Sequence, residues 1–189
     1  MLATINSWDQ KSVIKLTNFF SHNSSIVNKF LAEYLIYSIP VILIVLWFYS
    51  EKAKKVALRG VFAVILAWPI LAGILGRLIN RQRPFEISGV KELVFHRPDY
   101  SFPSDHAAAI FALGFCLWFS GFKKLSGVIL IMGLVISFFR VATGIHYPSD
   151  ILGGAVIGLV AAYLIYLFDK PLDIIYNFIL KILKIVRLA

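Results

Sequence analysis

Five runs of apolar residues, each close to the length a bilayer demands, constrain this chain more than any other feature. A helix needs roughly 20 apolar residues to cross the hydrocarbon, fewer where its end residues snorkel. Such runs fall at about 30–49, 56–79, 106–122, 125–141 and 151–168. No segment alternates with period two over the length of a barrel strand, so the runs are expected as helices. The expected fold is all-α: a polytopic membrane helix bundle of about five transmembrane helices. Composition agrees, because charged residues make up only 15% of the chain and mean hydropathy is +0.81. A soluble domain carries about 25% charged residues. Pro40 and Pro69 fall inside spans, where they are expected to kink the helix while neighbours satisfy the freed carbonyls.

The two ends differ from the spans. Trp8, Ile14, Leu16, Phe19 and Phe20 recur at helical spacing among Asn, Ser, Asp and Lys. That suits an amphipathic helix lying in the interface. Residues 171–189 repeat the style, with Lys181, Lys184 and Arg187 among Ile and Leu. Neither end reads as a separate domain, so residues 1–189 read as one domain with its polar motifs between 76 and 154. The first residues lack the basic cluster and apolar core of a secretory signal. Cys116 is the single cysteine and rules out an intrachain disulfide.

The net charge of +9 would suggest nucleic acid in a soluble protein. Here Lys and Arg gather in short loops beside apolar spans, where they set orientation and meet anionic headgroups. The expected partners are therefore membrane lipids and not nucleic acid; a homo-oligomer is left open. Five spans with a cytoplasmic C-terminus place Lys52, Lys54, Lys55, Arg59, Lys123, Lys124, Lys170, Lys181, Lys184 and Arg187 inside. Nearly as many basic residues fall on the other side. Two of those, Arg83 and Arg140, are better explained as site residues, and discounting them tips the balance. Segments 80–105 and 142–150 then face outward.

On that topology three polar clusters share one face: Arg83 to Glu86, Phe102 to His106, and Arg140 through His146 to Asp150. Charged groups at the mouths of spans are costly and usually functional. An arginine offers a fork of donors matched to phosphate oxygens. A histidine six residues on can act as nucleophile, and an aspartate four residues further can hold the other imidazole N–H. Asp150 alone would be explained by the dipole of a helix beginning at Pro148, but that leaves His146 and Arg140 unexplained. Ser104 stands where an N-cap would precede the third span, with backbone N–H groups aimed at any bound anion. His106 follows it and can move a proton near neutral pH. Read singly, Pro103-Ser104-Asp105 is an ordinary helix start and Arg83 a membrane-edge arginine. Two histidines and an aspartate could bind zinc, but two adjacent arginines disfavour a dication.

Taken together, the clusters resemble the type 2 phosphatidic acid phosphatase (PAP2) superfamily, whose signature runs K-x6-RP, PSGH and SR-x5-H-x3-D. Arg83-Pro84 matches the end of the first part, Pro103-Ser104-Asp105-His106 the second, and Arg140-x5-His146-x3-Asp150 the third. Three positions depart. The first lysine falls on Gly76, with Arg77 and Arg81 as nearby substitutes out of register. Asp105 replaces a glycine, and Phe139 a serine. The small size, the Arg-Pro-Phe-Glu run and the Pro-Ser-Asp-His form resemble the bacterial undecaprenyl-diphosphatase branch associated with bacitracin resistance.

The resemblance implies that His146 attacks the terminal phosphorus to form a phosphohistidine and that Asp150 orients His146. It implies that His106 protonates the leaving oxygen and then activates water, and that Arg83, Ser104 and Arg140 hold phosphoryl oxygens. No metal or other cofactor is implied. The expected substrate is a polyprenyl diphosphate lipid, undecaprenyl diphosphate, hydrolysed at the outer face of the cytoplasmic (inner) membrane to recycle the cell-wall carrier. The alternatives are phosphatidylglycerophosphate, phosphatidate or lipid A as substrate, a phosphotransferase using the same phosphohistidine, or an anion transporter that uses the arginines alone. The motifs do not identify the lipid.

Overall fold

The computed structural model describes residues 2–22, 26–86, 89–96 and 99–185, so Arg187 lies outside the described residues. Among them no strand forms, and the order of elements follows the apolar runs. Helix α1 (Leu2–His22) precedes α2 (Ile26–Lys29), which passes through a π-helical turn (Phe30–Tyr34) and a 3-10 turn (Leu35–Tyr37) into α3 (Ser38–Tyr49). Helix α4 (Glu51–Ile65) continues through a second π-helical stretch (Leu66–Ala72) into α5 (Gly73–Ile79). A 3-10 turn (Pro84–Glu86) precedes α6 (Asp105–Phe119), α7 (Lys123–Ala142), α8 (Pro148–Leu167) and α9 (Asp169–Ile185).

The prolines are absorbed by local irregularity. Pro69 lies inside the π-helical stretch, where the widened turn accommodates the missing N–H. Pro40 sits in the first turn of α3, where its N–H would have had no intrahelical partner. Ser50 starts α4 as a side-chain cap, accepting from the Ala53 N–H at 3.1 Å.

Four stretches are long and apolar enough to cross a membrane: Ile26–Tyr49, Glu51–Glu86, Lys123–Ala142 and Pro148–Leu167. The fifth expected span, α6, is shorter, with 15 residues, or about 22 Å at 1.5 Å per residue. It begins at Asp105 and stops at Phe119 rather than Phe122. The reason is its position, because α6 packs against α4, α7 and α8 at the centre of the bundle. Every residue from Ala107 to Gly114 is buried. Protein surrounds it, so it need not match the lipid thickness, and the extended chain before it is tolerated at the membrane edge.

The bundle is small inside and large outside. Gly154 and Gly158 of α8 lie against Ser104, Ala107, Ala108 and Ala112, so close that a Cβ at either would meet α6 backbone atoms within 2.8 Å. Large side chains such as Phe48, Leu134 and Leu152 face outward. Small residues at the seam let helices approach where lipid removes the hydrophobic drive to associate.

Both ends form helices, and both are tied to the bundle. Helix α9 buries Tyr176 and Leu180 against Leu58, and Arg59 makes a bidentate pair with Asp169 at 2.5 and 2.6 Å. Helix α1 leaves Trp8 and Phe19 exposed and buries Asp9, Val13 and Thr17, one face at spacing four.

Candidate active site

The local chain path explains how three distant motifs meet. Helix α5 ends at Asn80, whose left-handed backbone (φ 45°) turns the chain away while its N–H bonds the Gly76 carbonyl at 2.8 Å. That turn delivers Arg81 and Arg83. Helix α7 ends in a turn through Gly144 (φ +80°), where a Cβ would stand 2.7 Å from the Lys91 carbonyl oxygen. The Ile145 and His146 N–H groups return to the Arg140 carbonyl at 3.2 and 3.3 Å. Arg140 and His146 are thereby folded onto each other. Asp150 sits in the first turn of α8 and accepts from the Tyr147 N–H at 2.7 Å. The Ser104 N–H donates to the Asp150 carbonyl at 3.0 Å, joining the α6 and α8 starts.

All six residues singled out from sequence come together. The Arg140 guanidinium lies between the two histidines, with Nη1 3.3 Å from His106 Nε2 and Nη2 3.2 Å from His146 Nε2. Arg83 Nη1 stands 3.4 Å from the same His146 nitrogen and donates to the Ile145 carbonyl at 3.1 Å. His146, Arg83, Arg140, Ser104 and Asp150 are buried; His106 is half-buried. Among the described residues, Arg140 Nε is buried without a partner. A guanidinium thus occupies the space between the imidazoles that a shared metal would need. Among the described residues, no three His, Cys, Asp or Glu side chains converge to hold one.

The tautomer of His146 follows from its neighbours. Its Nδ1 lies 2.9 Å from the Ser101 carbonyl oxygen, which can only accept. Nδ1 therefore carries the proton, and the Nε2 lone pair faces the two arginines. Asp150 Oδ2 is further from Nδ1, at 3.5 Å. The sequence assigned the orienting bond to Asp150; here Ser101 makes the shorter contact, while its hydroxyl bonds Asp150 Oδ2. Asp150 thus acts on His146 partly through Ser101. Burial, then Arg140 and Arg83, hold the His146 imidazole well below its usual 6.5, against a smaller upward pull from the Ser101 carbonyl. A neutral His146 is what an attacking lone pair requires.

Other placements depart from the sequence reading. The Tyr100 ring fills the Gly76 position, and a Cβ there would meet it at 2.2 Å. Neither proposed substitute joins Arg83 and Arg140 at His146 Nε2. Arg77 is exposed, and Arg81 turns to Asp150 at 2.8 Å, Ser149 at 2.6 Å and Asp9 at 2.7 Å. The Ser104 side chain caps α6, with the Ala107 N–H 3.5 Å from Oγ. The motif reading missed Ser101, Asp9 and Asp99, the last holding Arg83 through Nε at 2.7 Å, and it gave Arg81 a different role. Ser101, Asp9 and Asp99 lack motif spacing.

The buried site has an apolar flank. A groove of about 350 Å³ runs between α3 and the Pro69 region, lined by Ile39, Pro40, Val64, Trp68 and Ala109, and reaches His106 and Asp105. An apolar groove ending at His106, itself 3.3 Å from the Arg140 guanidinium, suits an amphiphile with a phosphate head.

Such a bundle and charge arrangement define a membrane-embedded phosphatase acting on lipids. The chain belongs to the PAP2 superfamily, whose family model matches residues 57–172. It is 33% identical to the bacitracin transport permease protein BcrC of Bacillus licheniformis, over 78% of this chain and 73% of that protein. It is 28% identical to undecaprenyl-diphosphatase BcrC of Bacillus subtilis, over 90% of this chain and 89% of that one. A transmembrane PAP2-type phosphatidylglycerolphosphate phosphatase from Bacillus subtilis superposes with a TM-score of 0.64 at 21% identity, over 89% of this chain and 87% of that one. That likeness fixes the shared fold.

Proposed function

We propose that this chain hydrolyses a polyprenyl diphosphate, undecaprenyl diphosphate, to the monophosphate and inorganic phosphate, at the outer face of the cytoplasmic membrane. The observation that carries this reading is the His146 imidazole: Nδ1–H fixed on the Ser101 carbonyl and Nε2 presented to two guanidiniums. A phosphoryl group placed among Arg83, Arg140 and the N-terminal turn of α6 would lie at Nε2 with its charge neutralised. Nε2 attacks the terminal phosphorus, the bond to the bridging oxygen breaks, and His106, protonated in the complex with the anionic substrate, gives that oxygen its proton and becomes neutral. His106 then takes a proton from water, whose oxygen attacks the phosphohistidine, and phosphate leaves with His146 restored. Asp150 and Ser101 stabilise the charge on His146 through the step.

The lipid substrate is supported by the groove reaching His106 and by the substrate named for the Bacillus subtilis relative. One relative carries a transport name, but a transporter needs positive charge and has no use for a fixed nucleophile and a proton donor. The test is phosphate release by purified protein in detergent from a panel of polyprenyl diphosphate, phosphatidylglycerophosphate, phosphatidate and lipid A. Polyprenyl diphosphate should have the highest kcat/KM, and His146→Ala should abolish turnover and the trapped phosphoenzyme. Activity of His146→Ala within about tenfold of the parent would remove the nucleophile. A higher kcat/KM for a glycerolipid would move the substrate.

A further inference from the structure

The N-terminal helix contributes a buried carboxylate for which membrane attachment gives no reason. Asp9 is fully buried, whereas Trp8 and Phe19 on the same helix already give α1 an apolar face toward lipid. Burying a carboxylate is costly unless it is paired and hydrogen-bonded. Asp9 is both. Its Oδ2 takes Arg81 Nη2 at 2.7 Å and the Ser149 hydroxyl at 2.5 Å, and its Oδ1 takes the Ser149 N–H at 3.1 Å. That N–H belongs to the first turn of α8, so a distant helix caps the element that carries Asp150.

Arg81 completes the link. Its Nη1 donates to Asp150 Oδ1 at 2.8 Å and to Ser149 Oγ at 2.6 Å, and its guanidinium lies 4.0 Å from the Tyr147 ring centroid. We propose that Asp9 is a positioning residue of the phosphatase site, holding Asp150 in place and in charge balance through Arg81 and Ser149. The inference rests on the reading of His146 and Asp150 given above.

Charge is the physical content. Arg81 sits between two carboxylates, so its cation is shared. Remove Asp9 and the whole cation falls on Asp150, whose field at His146 weakens. The groups around His146 define the direction of the effect. Arg140 and Arg83, with His96, press its proton off, and the Ser101 carbonyl holds it on; the Asp150 carboxylate stands 3.5 Å from Nδ1, where a negative charge favours the imidazolium, and His106 joins through Arg140. Weakening Asp150 lowers the affinity of His146 for its proton and destabilises the imidazolium-like phosphohistidine. Asp9 touches no substrate, so binding should not change. Packing reinforces the link, because Thr17, two turns along α1, lies against the Gly144 turn that precedes His146.

The experiment compares Asp9→Asn and Ser149→Ala with the parent in detergent, with His146→Ala alongside. Asp9→Asn should lower kcat about 10- to 100-fold, leave KM within about twofold, and move the acidic limb of kcat/KM to lower pH. Ser149→Ala should do the same to a smaller extent. A lower kcat with the limb unmoved, or parental kcat, overturns the proposal, since a loss of folded protein scales the rate without moving the limb. If Asp9→Asn does not fold, Ser149→Ala decides by the same readouts. If His146→Ala is active, the reading of the site falls; if it is inactive while both other variants match the parent, only the role of Asp9 falls.

Discussion

Gly154→Ala tests whether the α6–α8 seam sets the geometry of the site. An added Cβ would stand 2.6 Å from the Ser104 carbonyl oxygen, 2.8 Å from Ala107 Cβ and 3.1 Å from the Ala108 nitrogen. Ordinary contact begins at 3.4 Å, so the helices must part by about 0.8 Å at this point. Two of the three atoms are backbone and cannot rotate away. The seam carries Ser104 and His106 on one side and Asp150 on the other, joined by the Ser104 N–H bond to the Asp150 carbonyl. A displacement near 1 Å costs on the order of 10²-fold in rate, so kcat should fall about 10- to 100-fold. Overpacking costs about 1–3 kcal/mol, against about 1 kcal/mol gained in helix propensity by replacing glycine. The net change in thermal stability is therefore modest beside the loss of rate. Gly127→Ala is the control, since among the described residues nothing lies within 4 Å of its Cβ; it should retain parental kcat. The assay is phosphate release with matched folded protein, alongside a melting curve. A Gly154→Ala enzyme with kcat within about threefold of Gly127→Ala would refute the idea that this contact holds the two histidine clusters in register.

Three further outcomes are expected. His106→Ala should damage hydrolysis of a lipid monophosphate more than of a lipid diphosphate, because the poorer leaving group needs the proton more and a general acid contributes about 10²–10⁴-fold; equal losses in kcat/KM would leave His106 as a phosphate contact. With His146 held below 6.5 by burial and two arginines, the nucleophile stays neutral as pH falls through 6.5, so kcat/KM corrected for substrate ionisation should hold level there. Arg83→Gln removes one of those cations and should move the acidic limb upward; a limb that stays put would mean another group titrates. Cysteines replacing Lys91 and Lys124, in a background without Cys116, should be reached by an impermeant reagent from outside intact cells at position 91 only, and reversed labelling would turn the site inward.

The sequence by itself determined the elements and the motif residues. Apolar runs near bilayer length can form little but helices in lipid, because every backbone N–H and carbonyl must be satisfied within its own segment. Arg140, His146 and Asp150 were legible because their spacing brackets one helix end and one helix start. The tertiary structure decided what spacing cannot encode. Whether α6 spans the bilayer depends on its neighbours: at 15 residues it is central and sheathed, so its length escapes the rule that governs lipid-facing helices. Gly76 reads as a lost lysine, but the Tyr100 ring fills the space. Arg81 reads as a phosphate contact, but three short bonds commit it to Asp150, Ser149 and Asp9. Ser101 acts on His146 through its backbone carbonyl, which every residue possesses and no motif can mark. Asp9 lies 140 positions before its Ser149 partner. Contacts of that range depend on how helices pack and turn, and the local pattern of a sequence does not carry them.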